Sequence, residues 1–278
     1  MYFCTMFSKR VYISLVIIAF ATLIFSCSGY EKLLKSRDYN LKYQKAVEYF
    51  NAEEYVRAST LFDQISPVFR GTIKADTVFY YQARCYYMQR DYILAGHHYN
   101  NLALDYPSSV YAEEANFMIG YCAYKMSPKP SLDQANSMKA INSFTLFLIR
   151  FPNSKRKEEV LTLIEELRNK LVEKSYNNAK LYYNLGDYKA SIIALKNSLN
   201  EFPDTEYREE LLFLILKSSY LLAENSIESK LRERFQDTVD EYYSFIGEFP
   251  ESKYKREAER MYTSAMENVG PSYIEMLE

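Results

Sequence analysis

Tyr106-Pro107-Ser108-Ser109-Val110-Tyr111-Ala112-Glu113-Glu114-Ala115 decides the fold, because the chain writes it three more times. The counterparts are Phe151-Pro152-Asn153-Ser154-Lys155-Arg156-Lys157-Glu158-Glu159-Val160, Phe202-Pro203-Asp204-Thr205-Glu206-Tyr207-Arg208-Glu209-Glu210-Leu211 and Phe249-Pro250-Glu251-Ser252-Lys253-Tyr254-Lys255-Arg256-Glu257-Ala258. Proline cannot donate to the preceding helical ladder and pushes its neighbour out of the α region, so each one ends a helix. The hydroxyl two places later, on Ser109, Ser154, Thr205 or Ser252, is placed to accept from the free amides of the next helix as its N-cap. Acids six or seven places after the proline favour that helix's positive end. Half of the 8 prolines sit in these helix-to-helix corners.

The corner prolines lie 45, 51 and 47 residues apart. That exceeds a bare tetratricopeptide unit of about 34 residues but suits one with longer helices or insertions. The positions between corners keep such a register. Tyr86, Asp91, Tyr92, Ala95, Tyr99 and Leu102 precede Pro107, with Asp91 opening the second helix as a cap. Tyr49, Tyr55, Ala58 and Phe62 mark a first repeat, and Gly120, Ala140, Phe144 and Phe147 a third. Tyr182, Gly186-Asp187-Tyr188, Ser191 and Leu195 mark a fourth, and Tyr242 with Phe245 a weaker fifth. Small residues at 58, 95, 140 and 191 let paired helices approach closely. The predicted fold is all-α, a right-handed α-α superhelix of about five tetratricopeptide-like repeats.

Helices are expected over 39–51, 54–66, 73–89, 92–105, 109–126, 132–150, 154–185, 188–201, 205–223, 230–248 and 252–268. The stretch 154–185 contains no Gly or Pro, fuses two repeat halves and reads as a stiff spacer. Pro128-Lys129-Pro130 interrupts the third repeat, and Ser131 with Gln134 restarts it in a capping-box pattern. The expected organisation is a leader over 1–26, a lipidated N-terminus and tether over 27–38, repeats one to three over 39–153, the long helix with repeats four and five over 154–268, and a tail over 269–278.

Composition narrows the chemistry. The 7 glycines, at 29, 71, 96, 120, 186, 247 and 270, are too dispersed for a phosphate-cradling loop or a dinucleotide fingerprint. A formal charge of −2 offers no basic footprint for nucleic acid. Lys9-Arg10, the uncharged run from Val11 to Ser26 and then Cys27 read as a secretory leader, since a spanning helix needs about 20 apolar residues. Ile24-Phe25-Ser26-Cys27 resembles the lipobox of bacterial lipoproteins, which makes Cys27 the expected lipid attachment. By analogy with lipoprotein sorting, Ser28 points to the outer membrane, and Ser28-Gly29-Tyr30-Glu31 lacks the acidic run of surface-export signals, favouring a periplasm-facing position.

No constellation for catalysis, a metal or a cofactor is legible. His97 and His98 are adjacent on a helix and point about 100° apart, unlike a ligating i, i+4 pair. Cys85 and Cys122 occupy equivalent places in neighbouring repeats and read as small buried residues, with a structural disulfide as the alternative in an oxidising compartment. Glu113-Glu114, Glu158-Glu159 and Glu209-Glu210 recur at one place in the repeat, as helix-start charges do. The 28 Tyr and 17 Phe, with no Trp, are more informative. Many belong to repeat cores, but the first-helix positions that face the groove in this repeat class are aromatic as well. Tyr43, Tyr80, Tyr87, Phe117, Tyr121 and Tyr124, with Arg84 and Lys125 among them, form a candidate groove for an extended peptide with alternating apolar residues and a terminal carboxylate.

The lipobox cysteine, the repeats and the corner pattern together resemble the BamD family of outer-membrane β-barrel assembly lipoproteins, over about residues 27–268. Asp91-Tyr92-Ile93-Leu94-Ala95-Gly96 with the corner at 106–115, and 179–188 with the corner at 202–207, carry the likeness best. The resemblance implies a non-enzymatic scaffold without cofactors. Repeats one to three would take the C-terminal signal strand of unfolded barrel proteins. The 154–185 helix with repeats four and five would take the POTRA domains of the barrel-forming subunit, alongside other assembly lipoproteins. The alternatives are a generic repeat adaptor of the envelope and a SusD-like glycan-binding lipoprotein. The latter is disfavoured by the short chain and the lack of Trp.

Overall fold

A computed structural model describes residues 29–269, which are helical throughout apart from short connections, with no strand among them. The leader, Cys27 and the tail beyond 269 lie outside the described residues. A short helix, α1, spans 29–35. It is followed by α2 (Tyr39–Asn51), α3 (Tyr55–Phe69), α4 (Ala75–Met88), α5 (Tyr92–Asp105), α6 (Ala112–Lys125), α7 (Ala135–Arg150), α8 (Lys157–Asn184), α9 (Tyr188–Glu201), α10 (Arg208–Glu224), α11 (Glu228–Glu248) and α12 (Lys255–Val269).

Three helices begin on an aspartate cap as their sequences demand: Asp38, Asp91 and Asp187 accept from Leu41, Leu94 and Ala190 amides at 2.9, 3.0 and 3.1 Å. The turn leading into the second helix of a pair passes through the left-handed region at Glu53, Arg90 and Gly186, with φ of 61°, 63° and 77°. Only the last uses the residue that adopts it without a steric cost.

Three expectations shift. Residues 29–35 were expected as tether but form α1, because Leu33 and Leu34 pack on the first core and the Tyr30 hydroxyl donates to Arg57 O at 3.1 Å. Helix α3 continues past Pro67 to Phe69, which is buried and stacks on Tyr43 at 5.8 Å. Gln134 does not cap a helix begun at 132. It is buried just before α7, where its amide donates to Lys129 O and Leu132 O at 2.8 and 3.1 Å.

The described residues divide into two compact units, the first comprising residues up to Ser127 with Ala135–Leu161 and the second Pro128–Gln134 with the residues from Thr162 onward. In the first, a core of Ala46, Ala58, Leu61, Phe62, Ile65 and Val78 forms where α2, α3 and α4 meet. In the second, Tyr176, Leu195, Leu199, Leu211 and Ile215 join α8, α9 and α10, while Phe235, Val239, Ala265 and Val269 join α11 to α12. Lys174 Nζ donates to Leu132 O at 2.7 Å, tying the proline insertion into this second unit.

Candidate peptide-binding site

The four corners have one geometry. The aromatic amide donates back to the ending helix, as Tyr106 does to Leu102 O at 3.0 Å. The hydroxyl residue amide then donates to the aromatic carbonyl, and the first amide of the next helix to the hydroxyl residue carbonyl. The side-chain hydroxyl accepts two residues on, from Tyr111, Arg156, Tyr207 and Tyr254 amides at 3.1, 3.1, 3.2 and 3.0 Å. These hydroxyls therefore cap the turn before the helix rather than the helix itself, which starts three residues after each of them.

The same hydroxyls do a second job that sequence reading missed. Ser109, Ser154 and Ser252 donate to Asp76, Glu113 and Glu209 at 2.7, 2.6 and 2.6 Å, so these three corners are latched to the first turn of the preceding repeat. The acid seven places after the proline also reaches back at two corners, whereas Glu159 pairs with Arg156 of its own corner at 3.6 Å. Glu210 and Glu257 take Lys180 and Lys217 at 2.7 and 2.6 Å. Glu113, Glu209, Glu210 and Glu257 are thus repeat-to-repeat ties as well as helix-start charges.

A ring from each first helix stacks on the residue two places after the next hydroxyl. Tyr80 lies 4.1 Å from Tyr111, Tyr176 4.1 Å from Tyr207 and Phe213 4.2 Å from Tyr254. Phe117 carries the Arg156 guanidinium at 4.2 Å, and Tyr43 the Lys74 ammonium at 5.2 Å. That last pair exposes a fifth corner, Phe69-Arg70-Gly71-Thr72-Ile73-Lys74-Ala75, in which Thr72 amide and Ala75 amide repeat the bonding at 2.9 and 3.1 Å without a proline. Its Phe-x-x-Thr-x-x-Ala spacing was the available signal.

The eight candidate residues separate accordingly. Tyr43, Tyr80 and Phe117 occupy the stacking position, and Tyr80 and Phe117 are buried at 5% and 2% exposure, so they are packing residues rather than an open wall. Arg84, Tyr87, Tyr121, Tyr124 and Lys125 stand one or two turns further along the same helices, and the last four form a continuous strip. Tyr87 and Tyr121 rings are 6.3 Å apart, Tyr121 and Tyr124 stack at 5.7 Å, and Lys125 Nζ sits 5.0 Å over Tyr121 and 6.0 Å over Tyr124. Arg84 lies over Phe50 and Tyr80 at 5.5 and 5.6 Å and donates to the Tyr80 hydroxyl at 3.3 Å. Burial, with the Glu114 carboxylate beside it, pushes that hydroxyl up to about 12, so it stays protonated. The strip and Arg84 together offer ring faces, phenol tips and two cations, a surface for binding and not for bond-making.

Elsewhere the titratable groups are structural. His98 stacks on Tyr86 at 4.9 Å and burial lowers its pKa, while Tyr86 donates to Asp63 at 2.7 Å. Cys85 and Cys122 are free and buried. Among the described residues no group of three or more His, Cys, Asp or Glu could hold a metal ion, and no helix is long and apolar enough to cross a membrane.

Tandem helix pairs latched corner to corner, with an aromatic strip on the first helices, define a helical-repeat binding scaffold. The chain belongs to the YfiO family of outer membrane lipoproteins, whose model matches residues 36–234. A relative from Aquifex aeolicus (strain VF5), described as a putative outer membrane protein assembly factor BamD, is 25% identical over 219 residues, covering 78% of this chain and 71% of its own. The family is one of non-enzymatic scaffolds, and its members are outer-membrane lipoproteins of protein assembly. Among solved structures, the TPR2AB-domain:pHSP90-complex of yeast Sti1 aligns over 82% of this chain and 98% of that one, at 14% identity and a TM-score of 0.37, too remote to carry an argument.

Proposed function

We propose that this chain is a periplasm-facing scaffold of the outer-membrane β-barrel assembly machinery, anchored through Cys27. It binds unfolded barrel proteins through repeats one to three. Its long helix and repeats four and five bind the POTRA domains of the barrel-forming subunit, in company with other assembly lipoproteins.

Beyond family membership, the observation that carries the reading is the strip. An extended chain places same-side residues about 6.8 Å apart, close to the 6.3 Å between Tyr87 and Tyr121. Alternate apolar side chains of a terminal β-strand can then lie on successive rings. Lys125 rests on rings and makes no ion pair with any described residue, which suits a terminal carboxylate.

The test measures binding of a barrel C-terminal peptide to the intact protein, with the peptide's terminus free or amidated. Lys125→Ala should weaken the free-carboxylate peptide about ten- to hundredfold, the equivalent of about 1.5–3 kcal/mol, and leave the amidated one unchanged. Tyr87→Ala with Tyr121→Ala should weaken both. Depletion of the protein should lower several unrelated outer-membrane barrels together. Steady barrel levels with failure of a single uptake route would sink the assembly reading.

A further inference from the structure

The N-terminal end of the first unit carries a cleft that the peptide strip does not use. Helices α1 and α2 enclose about 550 Å³ between Lys32 and Leu33 on one side and Leu41, Lys45, Glu48 and Tyr49 on the other, with Gly29 at its edge. Its lining is mainly apolar, and Leu41 remains 40% exposed in the wall.

Its surroundings are cationic in an otherwise acidic chain. Residues 29–45 hold Lys32, Lys35, Arg37, Lys42 and Lys45 against Glu31 and Asp38. Lys42 is buried and spent on structure, donating to Leu34 O and Gln64 Oε1 at 2.9 and 2.7 Å. Lys32, Lys35 and Arg37 are exposed and make no ion pair with any described residue. Lys45 pairs with Glu48 at 2.6 Å, but both side chains are solvated, at 43% and 61% exposure, so the pair is easily exchanged.

The position of the cleft along the chain names its occupant. Cys27 stands two residues before Gly29, so the lipid attachment lies within about 7 Å of the cleft's edge. A cationic, apolar-walled cleft held that close to a bilayer faces phosphate groups and the first methylenes beneath them. We propose that it binds the headgroup end of an anionic glycerophospholipid of the anchoring leaflet. The phosphate is taken by Lys32 and Lys45, and the glycerol esters lie on Leu33, Leu41 and Tyr49. The proposal rests on the reading of Cys27 as the anchor.

Because the chain has no Trp, Leu41→Trp places a single reporter in the cleft wall. Tyr243→Trp, at a position 47% exposed in the second unit, serves as control. The mature lipoprotein is reconstituted into phosphatidylethanolamine vesicles in which a fixed minor fraction of lipid is either brominated phosphatidylglycerol or brominated phosphatidylethanolamine. Quenching at 41 should be at least threefold stronger with the brominated phosphatidylglycerol, and the control should show no such preference. Lys32→Gln with Lys45→Gln should bring the ratio to one while the protein still floats with the vesicles. Equal quenching by the two lipids, or none in a protein that floats, overturns the headgroup site and leaves the anchor standing. Loss of flotation in the unsubstituted protein overturns the anchor and the site together.

Discussion

Gly120 offers the sharpest test of how the helices beneath the strip are packed. A Cβ added there would lie 2.6 and 2.7 Å from Phe144 Cδ1 and Cε1 and 3.1 Å from Cγ. Phe144 is fully buried and packs on Phe117 at 5.9 Å, so its ring has no solvent to swing into. An Ala in place of a mid-helix Gly is otherwise worth about 1 kcal/mol, while overpacking a core costs about 1–3 kcal/mol. With ring atoms rather than a flexible tip in the way, the upper end of that cost applies, and Gly120→Ala should destabilise by about 1–2 kcal/mol. Gly247, in the last turn of α11, meets nothing within 4 Å, so Gly247→Ala should stabilise by about 0.5 kcal/mol, the low end of the interior value. One substitution thus has opposite signs at two helical sites.

The assay is urea unfolding followed by far-UV circular dichroism, with hydrogen exchange reporting on α6 and α7. At a slope of about 2 kcal/mol/M, a loss of about 2 kcal/mol moves the midpoint down by about 1 M. Phe144→Leu should relieve the clash, making the double variant more stable than the sum of the single losses by about 1 kcal/mol or more. A Gly120→Ala protein with an unchanged midpoint and full protection in α6 and α7 would refute the reasoning.

Three further outcomes are expected. Ser252→Ala removes both the acceptor for the Tyr254 amide and the donor to Glu209, and should cost about 1–2 kcal/mol, with Ser252→Thr far milder; equal melting of the Ala and Thr variants would contradict the latch. Burial pushes the Glu210 carboxyl up, but hydrogen bonds from Lys180 and Tyr176 outweigh it, and Arg208 likewise holds Glu248 below its usual value. The stability these two acids add is present above their unfolded value of 4.5 and is lost as the pH falls through the lowered folded ones. Glu210→Gln with Glu248→Gln should flatten that acid limb and cost at most about 1 kcal/mol per pair at neutral pH, read from urea midpoints across the pH series. Burial pushes the Cys85 and Cys122 thiols up to about 12, so maleimide should label them only on unfolding, and rapid labelling of the folded protein would be incompatible with their packing.

Helix-forming segments were legible because punctuation is local: the limits of α5 follow from the Asp91 cap and from the aromatic-proline pair that ends it, and Asp38 and Asp187 open α2 and α9 in the same way in the structure. What stayed hidden depends on contacts distant in sequence. Nothing local says that Ser154 will meet Glu113, 41 residues away, or that Pro67 will be carried inside a helix because Phe69 has Tyr43 to stack on. The candidate site was half legible for the same reason. Periodicity placed Tyr80 and Tyr87 on one helix, but only partners distant in sequence, such as the Tyr111 ring, decide that the first is buried and the second half-buried. The corner at 69–75 lacks the proline that marks the other four, whereas its bonding depends on the aromatic and the hydroxyl.

The repeat register also bears on the proposal that a peptide terminus binds the first unit. Four residues beyond the stacking rings of Tyr80, Phe117, Tyr176 and Phe213 stand Arg84 and Tyr121 in the first unit and Lys180 and Lys217 in the second. The two lysines are already taken by Glu210 and Glu257, so a carboxylate arriving there would have to displace one that is covalently part of the fold. In the first unit, Arg84 spends its charge on ring faces and a neutral hydroxyl, and Lys125 lies over Tyr121 and Tyr124. An incoming carboxylate therefore gains a charge-assisted bond without breaking an ion pair. The same helical position thus ties repeats together through Lys180 and Lys217 in the second unit, whereas Arg84 and Tyr121 hold it without an ion pair in the first, and the proposed carboxylate contact falls one turn further on, at Lys125.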